Sequence, residues 1–170
     1  MFERELLTEA ASLLEVLRLR SLKIVTAESC TGGLVSGLLT EIPGSSDVVE
    51  RGFVVYSNDA KMECLGVPGQ LLSEHGAVSR PVAEAMATGA LMNSLADVAI
   101  AVTGVAGPGG GTALKPVGLV HVAAATLGQP ALHQECRFGD IGRGAVRLAT
   151  IKVALELIRR LVSETLATPA

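Results

Sequence analysis

The chain has 170 residues, 49% hydrophobic but only 2% aromatic, with a formal net charge of -3. That length suits one domain with a substantial core and hardly two, while three Phe, one Tyr and no Trp, without a basic cluster, argue against a nucleic-acid partner. No apolar run is long enough for a membrane span, the charged start is unlike a signal peptide, and three dispersed cysteines fit a reducing compartment, so a cytoplasmic protein is expected.

In chain order, residues 2–20 place Leu6, Leu7, Ala10, Leu13, Leu14 and Leu17 on one face, which predicts an amphipathic helix of about five turns. Next, the apolar run of Ile24, Val25 and Ala27 breaks at Glu28 and Ser29. Gly32 and Gly33 follow, and helical spacing resumes at Leu34, Leu38, Leu39 and Ile42. This predicts a buried strand feeding a helix over about residues 30–41, stopped by Pro43-Gly44. Ser29 falls at the hinge. It could be a hydroxyl nucleophile with backbone donors beside it for an oxyanion, or a plain N-cap. On this stretch alone the cap is the better reading.

Residues 51–57, rich in β-branched and aromatic side chains, predict a second strand. Asn58 or Asp59 would cap a short helix ending at Leu65, before Gly66 and Pro68. A turn-rich piece leads to a helix over about residues 81–95, with Pro81 at its first position. Residues 98–102 read as a central strand that runs into a glycine loop at 103–112. Residues 117–125 form another strand, and 131–138 an edge or hairpin partner. From about residue 142 to 166, Val146, Ala149, Val153, Leu157 and Leu161 mark a closing helix. There is no linker, repeat or low-complexity tract. The pattern predicts a single domain over 1–170, a three-layer α/β/α unit with a mixed, mostly parallel five- or six-stranded sheet.

Lys61 carries the second chemical signal. In the first turn of its helix the macrodipole opposes a cation, and with partial burial that lowers a lysine pKa. A neutral amine is what a serine–lysine dyad requires. The plainer meaning is a solubilising surface lysine. Tyr56, closing the second strand, could orient the lysine or a substrate through its hydroxyl, and packing explains it equally well. The glycine loop has five glycines between positions 104 and 111. It lacks the Gly-Lys-Ser/Thr ending of a P-loop and opens no helix as a dinucleotide fingerprint must. Its free amides favour a ligand contact, an anion nest with Lys115 nearby. Cys30 is a rival nucleophile if a helix N-terminus lowers its thiol pKa, though a small buried residue is the better reading. His121 reads as a satisfied sheet histidine. Arg143 and Arg147 could reach a phosphate or carboxylate.

These pieces, taken together, resemble the CinA C-terminal domain, or nicotinamide-nucleotide amidohydrolase, family. The matching motifs are Ala27-Glu28-Ser29-Cys30-Thr31-Gly32-Gly33, Tyr56-Ser57-Asn58-Asp59-Ala60-Lys61, Thr103-Gly104-Val105-Ala106-Gly107-Pro108-Gly109-Gly110 and Lys115-Pro116-Val117-Gly118. Shorter matches at Pro43-Gly44-Ser45, Gly66-Val67-Pro68 and Gly76-Ala77-Val78-Ser79 extend the likeness over nearly the whole chain. The resemblance implies hydrolysis of the carboxamide of nicotinamide mononucleotide to nicotinate mononucleotide and ammonia, in pyridine-nucleotide recycling. It implies Ser29 as nucleophile and Lys61 as base, with Tyr56 nearby. Cys30, Thr31, Gly32, Gly33, Thr103, Gly104, Gly107, Gly109, Gly110 and Arg147 would frame the nucleotide. No metal or cofactor is implied. The family's Phe-x-Gly-Asp-Arg pattern is broken at Phe138-Gly139-Asp140-Ile141-Gly142-Arg143, and realigning the later positions puts its arginine at Arg147. A stand-alone form, without the pyrophosphatase-like domain common in the family, is expected, and so is a homo-oligomer. The competing reading is a non-catalytic nucleotide-binding or regulatory, competence-associated module.

Overall fold

A computed structural model describes residues 2–166. The order of elements is α1 (Arg4–Leu19), β1 (Ile24–Glu28), α2 (Leu34–Thr40), a 3-10 turn (Ser45–Asp47), β2 (Val49–Val54), α3 (Asn58–Leu65), α4 (Gly69–His75), α5 (Arg80–Met92), β3 (Val98–Gly104), β4 (Leu119–Thr126), β5 (Leu132–Arg137) and α6 (Arg143–Leu166). The five strands form one mixed sheet in the order β2-β1-β3-β4-β5. Strand β1 pairs in parallel with β2 and β3, and β4 runs antiparallel to both β3 and β5. The split follows the connections. Helices lie between β1 and β2 and between β2 and β3, as a parallel crossover requires, whereas the β3–β4 and β4–β5 links carry none.

Period-two alternation sends side chains to two cores. Ile24, Val98, Ile100, Val102, Val120 and Val122 pack with α1, α2 and α6, including Leu13, Leu17, Leu38 and Ile151. Val25, Ala27, Ala99, Ala101, Ala123 and Ala125 face α5 and its neighbours α3 and α4, through Val82, Met86, Leu65 and Leu72. The sheet is thus sandwiched, the expected three layers. Alanines on the second face let α5 lie close, and the approach of α3 to α5 is tighter still. A Cβ added at Gly89 would sit 2.0 Å from the Leu65 carbonyl oxygen.

Several boundaries differ from expectation, each for a local reason. The helix expected over 30–41 starts only at Leu34, because Gly32 (φ +59) and Gly33 (φ +93) hold the chain in a left-handed turn. The second strand stops at Val54, which leaves Tyr56 past its end. Helix α3 is capped by Ser57, whose Oγ accepts from the Ala60 amide at 3.0 Å, rather than by Asn58 or Asp59. The turn-rich piece before α5 contains the two-turn helix α4. No described helix is long and apolar enough to cross a membrane.

Candidate active site

Strand β1 lies between β2 and β3, so the chain leaves it first to one side and later returns on the other. A crevice opens outside the carboxyl ends of parallel strands at such a point. Here it is a cleft of about 290 Å³. Ser29 and Cys30 enter it after β1, Tyr56 and Lys61 after β2, and Thr103 to Gly107 with Gly109 and Gly110 from the end of β3. Ala77 and Val78, from the segment before α5, and Arg143, at the start of α6, complete the wall.

Lys61 is only 1% exposed although it lines the cleft. Its Nζ lies 3.1 Å from Ser29 Oγ, 2.8 Å from the Val55 carbonyl oxygen and 3.3 Å from that of Tyr56. No carboxylate forms an ion pair with it among the described residues. Burial lowers its pKa, and the neighbouring Cys30 thiol offsets this only in part. Nζ donates to both carbonyls and to Ser29 Oγ; in its neutral form, which the lowered pKa favours, its lone pair can take the hydroxyl proton of Ser29 instead.

The turn that presents Ser29 is locked from behind. Glu28, fully buried, accepts hydrogen bonds from the amides of Gly33 (3.1 Å), Val35 (3.0 Å) and Ser36 (2.8 Å). It fills the start of α2, so Ser29 is not that helix's N-cap; a carboxylate at a helix start also opposes the helix's positive end. The Ser29 amide is tied to the Val102 carbonyl at 3.0 Å and that of Gly32 to the Ser29 carbonyl at 3.0 Å. Gly33, expected to frame a ligand, thus spends its amide on Glu28. Thr31 is fully buried, and it, Gly32 and Gly33 are not among the residues of the cleft wall. The thiol of Cys30 gains nothing from the helix. Burial pushes it up to about 12, which removes it as a ready nucleophile.

Across the cleft, the amides of Ala106, Gly107, Gly109, Gly110 and Gly111 make no protein hydrogen bond among the described residues. Thr103 turns its hydroxyl to the Ala77 carbonyl at 2.8 Å, holding the α4–α5 segment against the site. Arg143 spans the opening, donating to the Gly107 carbonyl at 2.9 Å and to the Tyr56 hydroxyl at 3.0 Å. Tyr56 therefore touches Lys61 through its backbone carbonyl, not its hydroxyl. Arg147, a turn further along α6, points behind the Ser29 turn and donates to the Thr31 carbonyl at 2.8 Å. Lys115 leaves the loop and bonds the His75 carbonyl at the end of α4. His121 is satisfied within the sheet by His133, nitrogen to nitrogen at 3.0 Å, and burial lowers the pKa of both. Among the described residues no cluster of three or more His, Cys, Asp or Glu is disposed to hold a metal ion.

A buried amine in hydrogen-bond contact with a hydroxyl at a cleft wall is an arrangement that can support acyl-transfer chemistry. The family model of the CinA C-terminal domain matches residues 7–162. Nicotinamide-nucleotide amidohydrolase PncC of Escherichia coli K12 is 45% identical over 159 residues, covering 93% of this chain and 95% of PncC. The competence/damage inducible protein CihA from Agrobacterium tumefaciens superposes with a TM-score of 0.93 at 53% identity, over 95% of this chain and 98% of that one. A CinA superfamily protein from Escherichia coli follows at 0.87 and 33%, over 95% and 94% of the two chains. Other curated relatives are far longer. The chain spans 38% of a Caldicellulosiruptor bescii protein to which it is 50% identical, and 33% of a CinA-like protein from Mycobacterium sp. strain JLS at 51%.

Proposed function

The chain belongs to the CinA C-terminal domain family, and from that premise we propose that it is an amidase that hydrolyses nicotinamide mononucleotide to nicotinate mononucleotide and ammonia. The observation that carries the proposal is the contact of 3.1 Å between a buried, uncompensated Lys61 amine and Ser29 Oγ at the wall of the cleft. The 45% identity to PncC, over nearly all of both chains, supports the substrate. In this reading Ser29 Oγ attacks the carboxamide carbon while Lys61 Nζ takes its proton. The Cys30 amide, next to the nucleophile, stabilises the oxyanion. Collapse expels the amide nitrogen, which takes the proton from Lys61 and leaves as ammonia. Water, deprotonated by Lys61, then attacks the acyl carbon, and the nicotinate nucleotide departs with Ser29 restored.

The free amides of the glycine loop and the Arg143 guanidinium form the phosphate side of the cleft, and Tyr56 acts as a wall tied to Arg143. The whole chain works as one domain, cytoplasmic, in pyridine-nucleotide recycling, and assembles as a homo-oligomer. Incubating the purified protein with nicotinamide mononucleotide and assaying ammonia tests the proposal directly. Saturable binding without ammonia release would refute the amidase and leave a nucleotide-binding module.

A further inference from the structure

We propose that Arg147 is a positioning residue for the oxyanion, its charge relayed through two peptide units to the Cys30 amide; this rests on the amidase reading above. Arg147 Nη2 donates to the Thr31 carbonyl at 2.8 Å. That carbonyl shares its peptide unit with the Gly32 amide, which donates to the Ser29 carbonyl at 3.0 Å. The Ser29 carbonyl in turn shares its unit with the Cys30 amide. Cys30 borders the cleft, and its amide makes no hydrogen bond to another residue among the described residues. Each bond in the series draws electron density toward the guanidinium, so each successive N–H becomes a stronger donor, by about 10–30% per bond. The series ends at the residue after the nucleophile, where a serine turn places an oxyanion donor.

Three further observations separate this role from simple packing. Arg147 is half-buried and forms no ion pair among the described residues, so its charge is not spent on a carboxylate. Its buried Nε lacks an acceptor, a cost that the Thr31 bond does not remove. The contact also shapes the turn, because a Cβ at Gly32 would come within 3.2 Å of Nη2 at a φ of +59. Arg147 stands outside the cleft wall, so its effect on the reaction passes through the backbone and not through substrate contact.

The test compares steady-state ammonia release from nicotinamide mononucleotide by the full-length wild type, Arg147→Gln, Arg147→Lys and Arg159→Gln. Arg159 sits on the same helix and donates to the Glu9 carbonyl, far from the site, so it controls for the loss of one arginine–carbonyl bond. Arg147→Gln is expected to lower kcat about tenfold, a fraction of what deleting a whole oxyanion donor costs, with KM within about twofold. Arg147→Lys, which keeps the charge, is expected to recover to within about threefold of wild type, and Arg159→Gln to match it. An unchanged kcat in Arg147→Gln, a rise confined to KM, or a lysine variant no better than glutamine would each overturn the relay. Should Arg147→Gln lose its thermal transition, Arg147→Met takes its place as the uncharged arm: a kcat lowered about tenfold with KM nearly unchanged supports the relay, and an unchanged kcat or an effect on KM alone overturns it. A wild type that releases no ammonia overturns the amidase reading and the relay together, whereas an active wild type with an unaffected Arg147→Gln overturns the relay alone.

Discussion

Lys61 is buried at the cleft wall and, among the described residues, forms no ion pair with a carboxylate, and that fact sets how the site should respond to pH. Its pKa lies below the ordinary 10.5 because burial penalises the ammonium. Only the neutral amine accepts the serine proton, so kcat/KM is expected to rise with pH through the lowered pKa and then level off. Lys61→Met should erase that limb together with the rate. Stability has the same sign. Between the lowered pKa and 10.5 the unfolded chain binds the proton and the folded one does not, so the stability of wild type relative to Lys61→Met should climb as pH rises across that window. Denaturant titrations of both proteins at several pH values would measure it, and a falling difference would contradict the neutral lysine. Ser29→Ala and Lys61→Met should each reduce kcat by about a thousandfold or more, and the double variant little further, because members of a catalytic unit are strongly non-additive. Cys30→Ser should stay within about tenfold of wild type, since a thiol pushed up to about 12 is not the attacking group. A dead Cys30→Ser beside an active Ser29→Ala would reverse the assignment.

At the level of elements, the turn from β1 into α2 was only half legible in the sequence. The strand, the glycines and the later helical spacing were readable, whereas the residues alone left Lys61 between a surface lysine and a partner of Ser29, and the pairing came with the family resemblance. What could not be read was the part Glu28 plays. A carboxylate that folds back onto amides five to eight residues ahead leaves no periodic signal, and a capping box would have put the acid after the cap rather than before it. Arg143 was one of two candidates because spacing along α6 places Arg143 and Arg147 a turn apart, while only the packing of α6 decides which of them meets the cleft. Ala77 and Val78 bear no reactive group and entered the sequence reading only within the matched stretch Gly76-Ala77-Val78-Ser79. Glu28→Gln keeps the shape and loses the charge, leaving one acceptor oxygen for three amides. It should cost about 1–3 kcal/mol by chemical denaturation and lower kcat more than it raises KM, because the turn that presents Ser29 loosens. An equal effect on KM alone would place Glu28 at the substrate instead. Gly89→Ala, by contrast, forces backbone apart at α3 and α5 and should destabilise by more than about 3 kcal/mol, a loss visible in thermal melts.

On the scale of the whole molecule, the sheet topology gathers three loops at one end, and each brings a different kind of group: hydroxyl, amine and free amides. Glu28 occupies the positive end of α2, so the helix that follows the nucleophile is closed to a second anion. In the proposed reading, the substrate phosphate looks across the cleft, to the amides between Ala106 and Gly111 that make no protein hydrogen bond among the described residues and to Arg143. Binding energy gained there is remote from the reacting amide and serves to hold it at Ser29. The expected order of kcat/KM is nicotinamide mononucleotide, then nicotinamide riboside, then free nicotinamide, with the first exceeding the last by about a thousandfold or more. Arg143→Met should lower kcat/KM for the mononucleotide by about tenfold or more, as a charge-assisted contact is lost. The same change should affect the riboside much less, because that substrate has no phosphate to lose contact with. The ratio between the two substrates, measured in each protein by ammonia release, isolates the phosphate contribution from any general damage caused by freeing Tyr56. If the ratio is the same in Arg143→Met as in wild type, the phosphate does not meet Arg143; if free nicotinamide is hydrolysed as well as the mononucleotide, the glycine loop is not a phosphate site.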